Sequence, residues 1–327
     1  MSTDRVGARK PWWGRLDHFA FGAIGMALLV GVGLRAQSMR DEGPTKGDGE
    51  NVGRASATPH VARALGFSAE PNRDARPTLA RTLELAGISL PSDCHDDVGQ
   101  HLLARYGAVF VAHDVVVPTR CLFTDAAELH AFTQRLPMQS ARIGSVTVTL
   151  QPRALNALLF AVADARLNEA QISLRSSKPA QRDYADAEQF WRSRLVAALA
   201  HWTRRGKLSR ADAQTLRTSA PRETVLPIRA LEARGVYFGR GYHRSIFSSA
   251  AVPGASQHHA LLAIDVTEYG SAATRAILAR HGWYQTVAGD PAHFTYLGVG
   301  EADLPARGLE RVSSDGYVYW VPQLAER

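Results

Sequence analysis

The sequence has 327 residues and a formal net charge of +7, with 45% hydrophobic and 21% charged residues. Such a composition excludes a disordered chain, and the length allows one large domain or two modest ones. Residues 1–35 hold five basic and two acidic side chains, so they account for +3 of the charge and the rest of the chain for +4. A surplus of that size does not indicate a nucleic-acid partner.

An apolar run near the N-terminus predicts a membrane anchor in residues 1–35. Seventeen residues from His18 to Leu34 are almost wholly apolar, and as a helix they would span about 26 Å. The basic residues before the run predict a cytoplasmic N-terminus, with the remainder of the chain outside the cytoplasm. A cleaved signal peptide is the alternative, although Arg35-Ala36-Gln37-Ser38 is a poor small-x-small cleavage site.

Two regions of different character follow the anchor. Residues 36–77 are rich in glycine and proline and predict a flexible linker. Residues 78–150 predict a small α/β lead-in region, with strand-like runs at Val109–Val111 and Val115–Val117. A helix over Asp125–Leu136 and a strand over Val146–Leu150 complete it.

The two cysteines, Cys94 and Cys121, are too few for a cysteine zinc site. Outside the cytoplasm they would form one disulfide that closes a loop of about 28 residues. Two unpaired buried thiols are the alternative.

Residues 151–327 mix helical and strand patterns and predict one α+β domain. Residues 181–234 are helical and charged, and they form either an inserted arm along one wall of a cleft or additional core helices. The other predicted elements are a helix over Pro152–Ala165, a strand over Gln171–Ser177, a helix over Ala272–His281, strands over Trp283–Val287 and His293–Leu297, and a hairpin turn at Ser313–Gly316.

Three possible metal ligands stand out in the second half of the chain. His258 and Asp265 are seven residues apart in an apolar stretch, and His293 begins the predicted strand near the C-terminus. Two imidazoles and one carboxylate give zinc three protein ligands and leave the fourth position open for water, as in catalytic zinc sites. Asp290 lies three residues before His293 and could take a proton from that water.

The same residues carry a resemblance to a known family. Ser256, His258, Ala263 and Asp265 fall in register with the Ser-x-His-x-x-Gly-x-Ala-x-Asp motif of VanY-type zinc D-alanyl-D-alanine carboxypeptidases. His293 matches the histidine of their later Glu-x-x-His motif. The chain thus resembles the superfamily that these enzymes share with hedgehog proteins, D-Ala-D-Ala dipeptidases and phage L-alanyl-D-glutamate endopeptidases.

The resemblance implies a fold, a cofactor and a substrate. The fold would be a hedgehog/DD-peptidase-like antiparallel sheet flanked by helices, and the cofactor Zn²⁺. The substrate would be a peptidoglycan stem peptide, from which a D,D-carboxypeptidase releases terminal D-alanine. Arg175 and Ser176 match an Arg-Ser pair of the family that binds the substrate, with the arginine on its terminal carboxylate. Ser256 would fix the motif loop or bind substrate. The protein would then be a single-pass inner-membrane protein of a bacterium, with its catalytic domain in the periplasm.

Three positions depart from the family pattern. Leu261 stands where the family has glycine, Asp290 where it usually has glutamate, and Ala292 where it usually has tryptophan. An aspartate base also occurs in the endopeptidase branch of the superfamily, whereas Leu261 and Ala292 bear on substrate choice more than on metal binding. They leave open an endopeptidase of the L-alanyl-D-glutamate type, and a catalytically weak or inactive wall-binding module. The oligomeric state is also left open.

Overall fold

The computed structural model of the protein describes residues 76–175 and 178–325. The predicted anchor lies outside the described residues, as does the linker apart from its last two positions, so both stay predictions. Within the described part of the chain, no helix is long and apolar enough to cross a membrane.

Helices form where the sequence supplies a start signal and an apolar face. Of the eight α-helices in the described residues, six begin after a Thr, Asp or Ser whose side chain accepts a backbone N–H of the first turn. Pro152 and Pro221 open the other two, at a position that needs no N–H donor. The helices are α1 (Leu79–Leu85), α2 (Asp97–Tyr106), α3 (Ala126–Thr133), α4 (Pro152–Leu167), α5 (Tyr184–Arg204), α6 (Arg210–Thr218), α7 (Pro221–Glu232) and α8 (Ala272–Arg280).

The strands form small antiparallel sheets, so the described chain is a mixed helix and sheet structure. Strands β1 (Gln139–Ile143) and β2 (Val146–Leu150) form one hairpin, and β6 (Leu309–Ser314) and β7 (Tyr317–Pro322) form another. The second hairpin turns at Asp315 and Gly316, both with left-handed φ, as the sequence predicts. A three-stranded sheet has the order β3 (Ala263–Asp265), β5 (His293–Tyr296), β4 (Trp283–Tyr284).

The strand predictions in the lead-in region are wrong at two places. Val109–Val111 belongs to a short 3-10 helix, Gly107–Val111, and Val115–Val117 forms no strand. The first run is buried throughout, and a short continuous apolar run does not distinguish a strand from a buried helical turn. Of the strand predicted over Gln171–Ser177, the structure describes residues 171–175, and among these only Leu174 pairs, in an isolated bridge with Val266.

One hydrophobic core joins residues from both sides of position 150. Phe110 and Val148 of the lead-in region pack in the same cluster as Leu155, Trp283 and Phe294. A second cluster contains apolar residues of α5, α6 and α7, including Trp191, Leu216 and Ile228. The predicted boundary at residue 150 therefore falls inside a shared core, and the described residues belong to one compact unit.

A disulfide joins Cys94 to Cys121, which confirms the predicted pairing. The segment after Cys121 lies against the chain that leads to the motif histidine, where the backbone N–H of Phe123 donates to the carbonyl of Gly254 at 3.1 Å. A Cβ at Gly254 would lie 1.9 Å from the Phe123 carbonyl oxygen, so only glycine allows this approach. The disulfide thus holds a segment that supports the start of the His258 loop.

Candidate metal centre

The sheet register brings the three predicted ligands together. Strands β3 and β5 pair antiparallel with Asp265 directly opposite His293, and the short 3-10 helix Gln257–Ala260 places His258 just before β3. Asp265 Oδ1 lies 3.6 Å from His258 Nε2 and 3.6 Å from His293 Nδ1. One potential ligand atom from each of the three residues lies within 4.8 Å of the other two.

Hydrogen bonds on the far side of each ring decide which nitrogen faces the cluster. His258 Nδ1 lies 2.8 Å from the carbonyl oxygen of Ala180, which can only accept, so this nitrogen carries the proton. His293 Nε2 donates in the same way to Gln257 Oε1 at 2.7 Å. In the neutral rings, His258 Nε2 and His293 Nδ1 therefore present lone pairs towards Asp265. A histidine that donates its other N–H to a fixed acceptor is the usual arrangement of a metal ligand.

The electrostatics of the cluster also fit a divalent cation. His258 is 1% exposed, and its Nε2 has no hydrogen-bond partner among the described residues. Burial, together with the nearby charge of Arg182, lowers the pKa of His258 to about 4, so the ring is neutral at pH 7. The buried, neutral Nε2 accepts no hydrogen bond from the described part of the protein, so its lone pair is free, as a zinc ligand requires. The donor set of two nitrogens and one carboxylate oxygen thus fits the metal that the sequence predicts.

Arg182, a residue that sequence reasoning missed, holds the Asp265 carboxylate in place. Burial raises the pKa of Asp265, but His258, His293 and Arg182 together hold it well below its usual range. Arg182 donates through Nη2 to Asp265 Oδ2, which leaves Oδ1 facing the imidazoles. The neighbouring His259 is buried and donates through Nδ1 to the Arg182 carbonyl at 2.9 Å.

Gln257 is the second residue that sequence reasoning missed. Its Oε1 accepts from His293 Nε2, from Thr295 Oγ1 at 2.5 Å and from Thr286 Oγ1 at 3.3 Å. Its Nε2 donates to the Tyr106 carbonyl at 2.7 Å, which fixes the orientation of the amide. The only available signal in the sequence is its position next to His258. Gln257 therefore sets the proton position on His293.

Leu261 has the backbone conformation that glycine usually supplies. Its φ of 57° and ψ of 35° are left-handed, and they turn the chain from the 3-10 helix into β3. A side chain in this region costs about 1–2 kcal/mol. Leu261 is 1% exposed and packs in the main core, so burial offsets that strain. The departure from the family motif at this position therefore affects a turn and leaves the ligands in place.

Asp290 lies on the wall of the pocket next to the cluster. It ends a turn in which its N–H donates to the Val287 carbonyl and its own carbonyl accepts from His293 N–H at 3.2 Å. Burial raises the pKa of Asp290 to about 6, against the opposing effect of nearby positive charge. A carboxylate with such a pKa is mostly ionised at pH 7 and accepts a proton more readily than an ordinary aspartate. Ala292 also lines the pocket, where a larger side chain would occupy space.

The pocket has a volume of about 520 Å³ and is lined by two of the three predicted substrate residues. Arg175 and the buried Ser256 line it together with the three ligands and Asp290. The Arg175 guanidinium lies 5.8 Å from the centroid of the Tyr269 ring, and its backbone N–H donates to the Asp265 carbonyl at 2.8 Å. Ser176, predicted as its partner, lies outside the described residues.

The helical arm of residues 181–234 contributes one wall of the pocket. Ala187, Phe190 and Arg194 of α5 line it, while Trp191 and Leu195 of the same helix are buried in the second core cluster. Both interpretations left open by the sequence therefore apply, each to a different face of α5. The arm shapes the cleft and also extends the core.

Comparisons with known proteins give little beyond this geometry. No family model matches the chain, and no curated protein does. One structural neighbour is a zinc-bound mutant of the D,D-pentapeptidase VanY from a VanB-type vancomycin-resistance cassette. It has a TM-score of 0.31 and 15% sequence identity, over 50% of this chain and 82% of that one. Another is VanYB in complex with D-alanine-D-alanine, with a TM-score of 0.32 and 16% identity over 53% and 86% of the two chains. Scores this low carry no argument about fold or activity.

Proposed function

We propose that the chain is a zinc-dependent D,D-carboxypeptidase that releases terminal D-alanine from peptidoglycan stem peptides. One observation carries the proposal: lone pairs of His258 Nε2, His293 Nδ1 and Asp265 Oδ1 converge, and the opposite side of each ligand is hydrogen-bonded. The sequence motif that contains these residues supports the substrate class. The Arg175 side chain in the same pocket supports a substrate with a free carboxylate.

The metal ligands would be His258, Asp265 and His293. When bound, zinc supplies a Lewis acid that polarises a carbonyl and makes water more acidic. Asp290 would accept a proton from the attacking water on its carboxylate as the water oxygen bonds to the scissile carbonyl carbon. As the C–N bond breaks, the same proton passes to the leaving amine nitrogen.

The remaining residues of the pocket bind and orient. Arg175 would pair with the terminal carboxylate of the peptide, because a guanidinium donates two parallel N–H groups to a carboxylate. Arg182 holds Asp265 Oδ2, so that only Oδ1 is directed at the imidazoles. Gln257 holds the proton on Nε2 of His293 and so keeps Nδ1 free.

Metal analysis of the purified full chain tests the metal site. Wild-type protein should hold close to one zinc ion per chain, and His258→Ala and His293→Ala should each lose it. His281→Ala is the matched control, because His281 pairs with Asp164 and lies outside the pocket. Folded wild-type protein that binds no zinc would contradict the site.

Digestion of muropeptides, read by mass spectrometry, tests the reaction. Release of one terminal D-alanine is the expected result. Cleavage between L-alanine and D-glutamate would make the protein an endopeptidase of the related type. Zinc and peptide binding without any cleavage would make it a wall-binding module.

We also propose that the protein is anchored in the bacterial inner membrane, with the peptidase outside the cytoplasm. The basic residues before the apolar run support this orientation. The Cys94–Cys121 disulfide supports it independently, because disulfides persist in oxidising compartments. An alkaline phosphatase fused after residue 327 should be active, and a stable but inactive fusion would reverse the proposed orientation.

A further inference from the structure

The pocket beside the three candidate metal ligands contains more arginines than are needed to bind one terminal carboxylate. Among the residues that the structure describes, five arginines line it but only two acidic residues, Asp265 and Asp290. The arginines are Arg175, Arg182, Arg194, Arg240 and Arg244. The volume of about 520 Å³ is within the range of roughly 300–1,000 Å³ that is usual for ligand pockets, so the pocket has room for several amino-acid residues.

Three of these arginines already have a role or a partner. Arg182 is paired with Asp265, and Arg244 lies 3.4 Å from Asp315 in a salt bridge. Arg175 contacts the Tyr269 ring and has no carboxylate partner among the described residues, which leaves it free for the terminal carboxylate of the proposed substrate.

Arg194 and Arg240 have neither a role in the proposed reaction nor a partner side chain among the residues described. In the described part of the chain, neither side chain forms a salt bridge or a hydrogen bond. Arg194 is half-buried on α5, and its Nε is fully buried without any acceptor. A buried guanidinium N–H that lacks an acceptor is unfavourable, because it has lost its water without gaining a partner. The Nη nitrogens of Arg194 are not among the fully buried unpaired atoms, Arg240 is exposed, and both side chains line the same pocket as the candidate ligands, so a bound anion can reach both guanidinium groups.

We propose that Arg194 and Arg240 form a second anion subsite, which binds a carboxylate carried by the peptide in addition to its terminal one. The inference rests on the proposed function, since a carboxypeptidase substrate ends at the carboxylate that Arg175 binds. The second carboxylate must then belong to a residue on the N-terminal side of the scissile bond. The preferred substrate is therefore an acidic stem peptide whose side-chain or α-carboxylates are free, and the amidated form of the same peptide is a poorer substrate.

Matched peptides test the subsite with the zinc-loaded full chain. Each pair ends in D-Ala-D-Ala and differs at one upstream residue, with a free carboxylate in one peptide and its amide in the other. For at least one position, the acid peptide should have a KM lower by about 10- to 100-fold, the usual worth of one charge-assisted hydrogen bond, at similar kcat. Arg194→Gln and Arg240→Gln should each remove the difference in KM between the acid and amide peptides. Arg194→Lys, which keeps the charge, should retain part of it.

Arg192→Gln is the matched control. Arg192 lies on the same helix but is exposed, pairs with Glu188 and lies outside the pocket, so this variant should keep the full preference. Equal KM values for the acid and amide peptides at every position would overturn the subsite and leave the proposed reaction standing.

Calorimetry with the same peptides separates the two proposals if no peptide is cleaved. Tighter binding of the acid peptide to wild type, lost in Arg194→Gln, would support the subsite although the proposed reaction had failed. Equal affinity for the two peptides, or binding of neither, would overturn the subsite as well.

Discussion

Replacement of Gln257 by leucine tests whether the hydrogen bonds behind His293 tune the metal centre. Gln257 is 2% exposed, and its amide makes four hydrogen bonds, one of them to His293 Nε2. Leucine has a similar volume but cannot accept or donate. The variant therefore removes the group that keeps the proton on Nε2 and the lone pair on Nδ1.

The expected effect has two parts. Loss of a hydrogen-bond partner behind a metal ligand usually weakens metal binding by about 10- to 100-fold, which is roughly 1.4–2.7 kcal/mol. The fold also loses stability. The Tyr106 carbonyl is left buried without its partner, at about 1–3 kcal/mol, and His293 Nε2 keeps only its longer contact with Thr295 Oγ1 at 3.4 Å. The free energy of unfolding of the metal-free protein should therefore fall by about 1–4 kcal/mol.

Competition against a chromophoric chelator at fixed pH measures the zinc affinity, and denaturant unfolding without metal measures the stability. Gln257→Glu keeps an acceptor for His293 Nε2 and should hold zinc within a few-fold of wild type. Gln323→Leu removes another buried glutamine, which bonds the carbonyls of Arg76 and Ala325 away from the pocket, and should leave zinc affinity unchanged. A folded Gln257→Leu variant that binds zinc as tightly as wild type would refute the role assigned to this side chain.

Three further predictions concern the base, the disulfide and the left-handed turn. Asp290→Asn should keep zinc bound but lower turnover by about two to four orders of magnitude; wild-type turnover of stem peptides would remove Asp290 as the base. Replacing both Cys94 and Cys121 by serine should lower the free energy of unfolding by roughly 3.5 kcal/mol for a sequence separation of 27, and an unchanged unfolding midpoint would contradict this. Leu261→Gly relieves about 1–2 kcal/mol of backbone strain but loses about 2–5 kcal/mol of core packing. Its midpoint should therefore fall, whereas a rise would show that strain dominates.

The sequence could predict elements whose signals are local. Pro152 opens α4 as expected, and the turn at Asp315 and Gly316 joins two strands. Each signal lies within a few residues of the feature that it specifies, because caps and turns satisfy backbone groups nearby. The residue types of the candidate metal ligands could be read from the sequence in the same way, since ligand chemistry belongs to the side chain itself.

The sequence pattern predicted the wrong element where residues are apolar only because they are buried. Val109–Val111 is as apolar as a buried strand, yet it continues α2 as a tight 3-10 turn inside the core. The strand predicted over Gln171–Ser177 is, across its described residues 171–175, a single bridge at Leu174, because a strand forms only where a neighbouring segment supplies partners along its length.

Only the tertiary structure decided how the ligands are held. The Ala180 carbonyl that bonds His258 is 78 residues away in sequence, Arg182 is 83 residues from Asp265, and Gln257 is 36 residues from His293. Packing of the shared core and pairing of β3 with β5 bring these groups together. The sequence by itself determined which atoms could bind a metal. The tertiary contacts determined which nitrogen of each histidine, and which oxygen of Asp265, faces the site, because those choices depend on partners that no local pattern encodes.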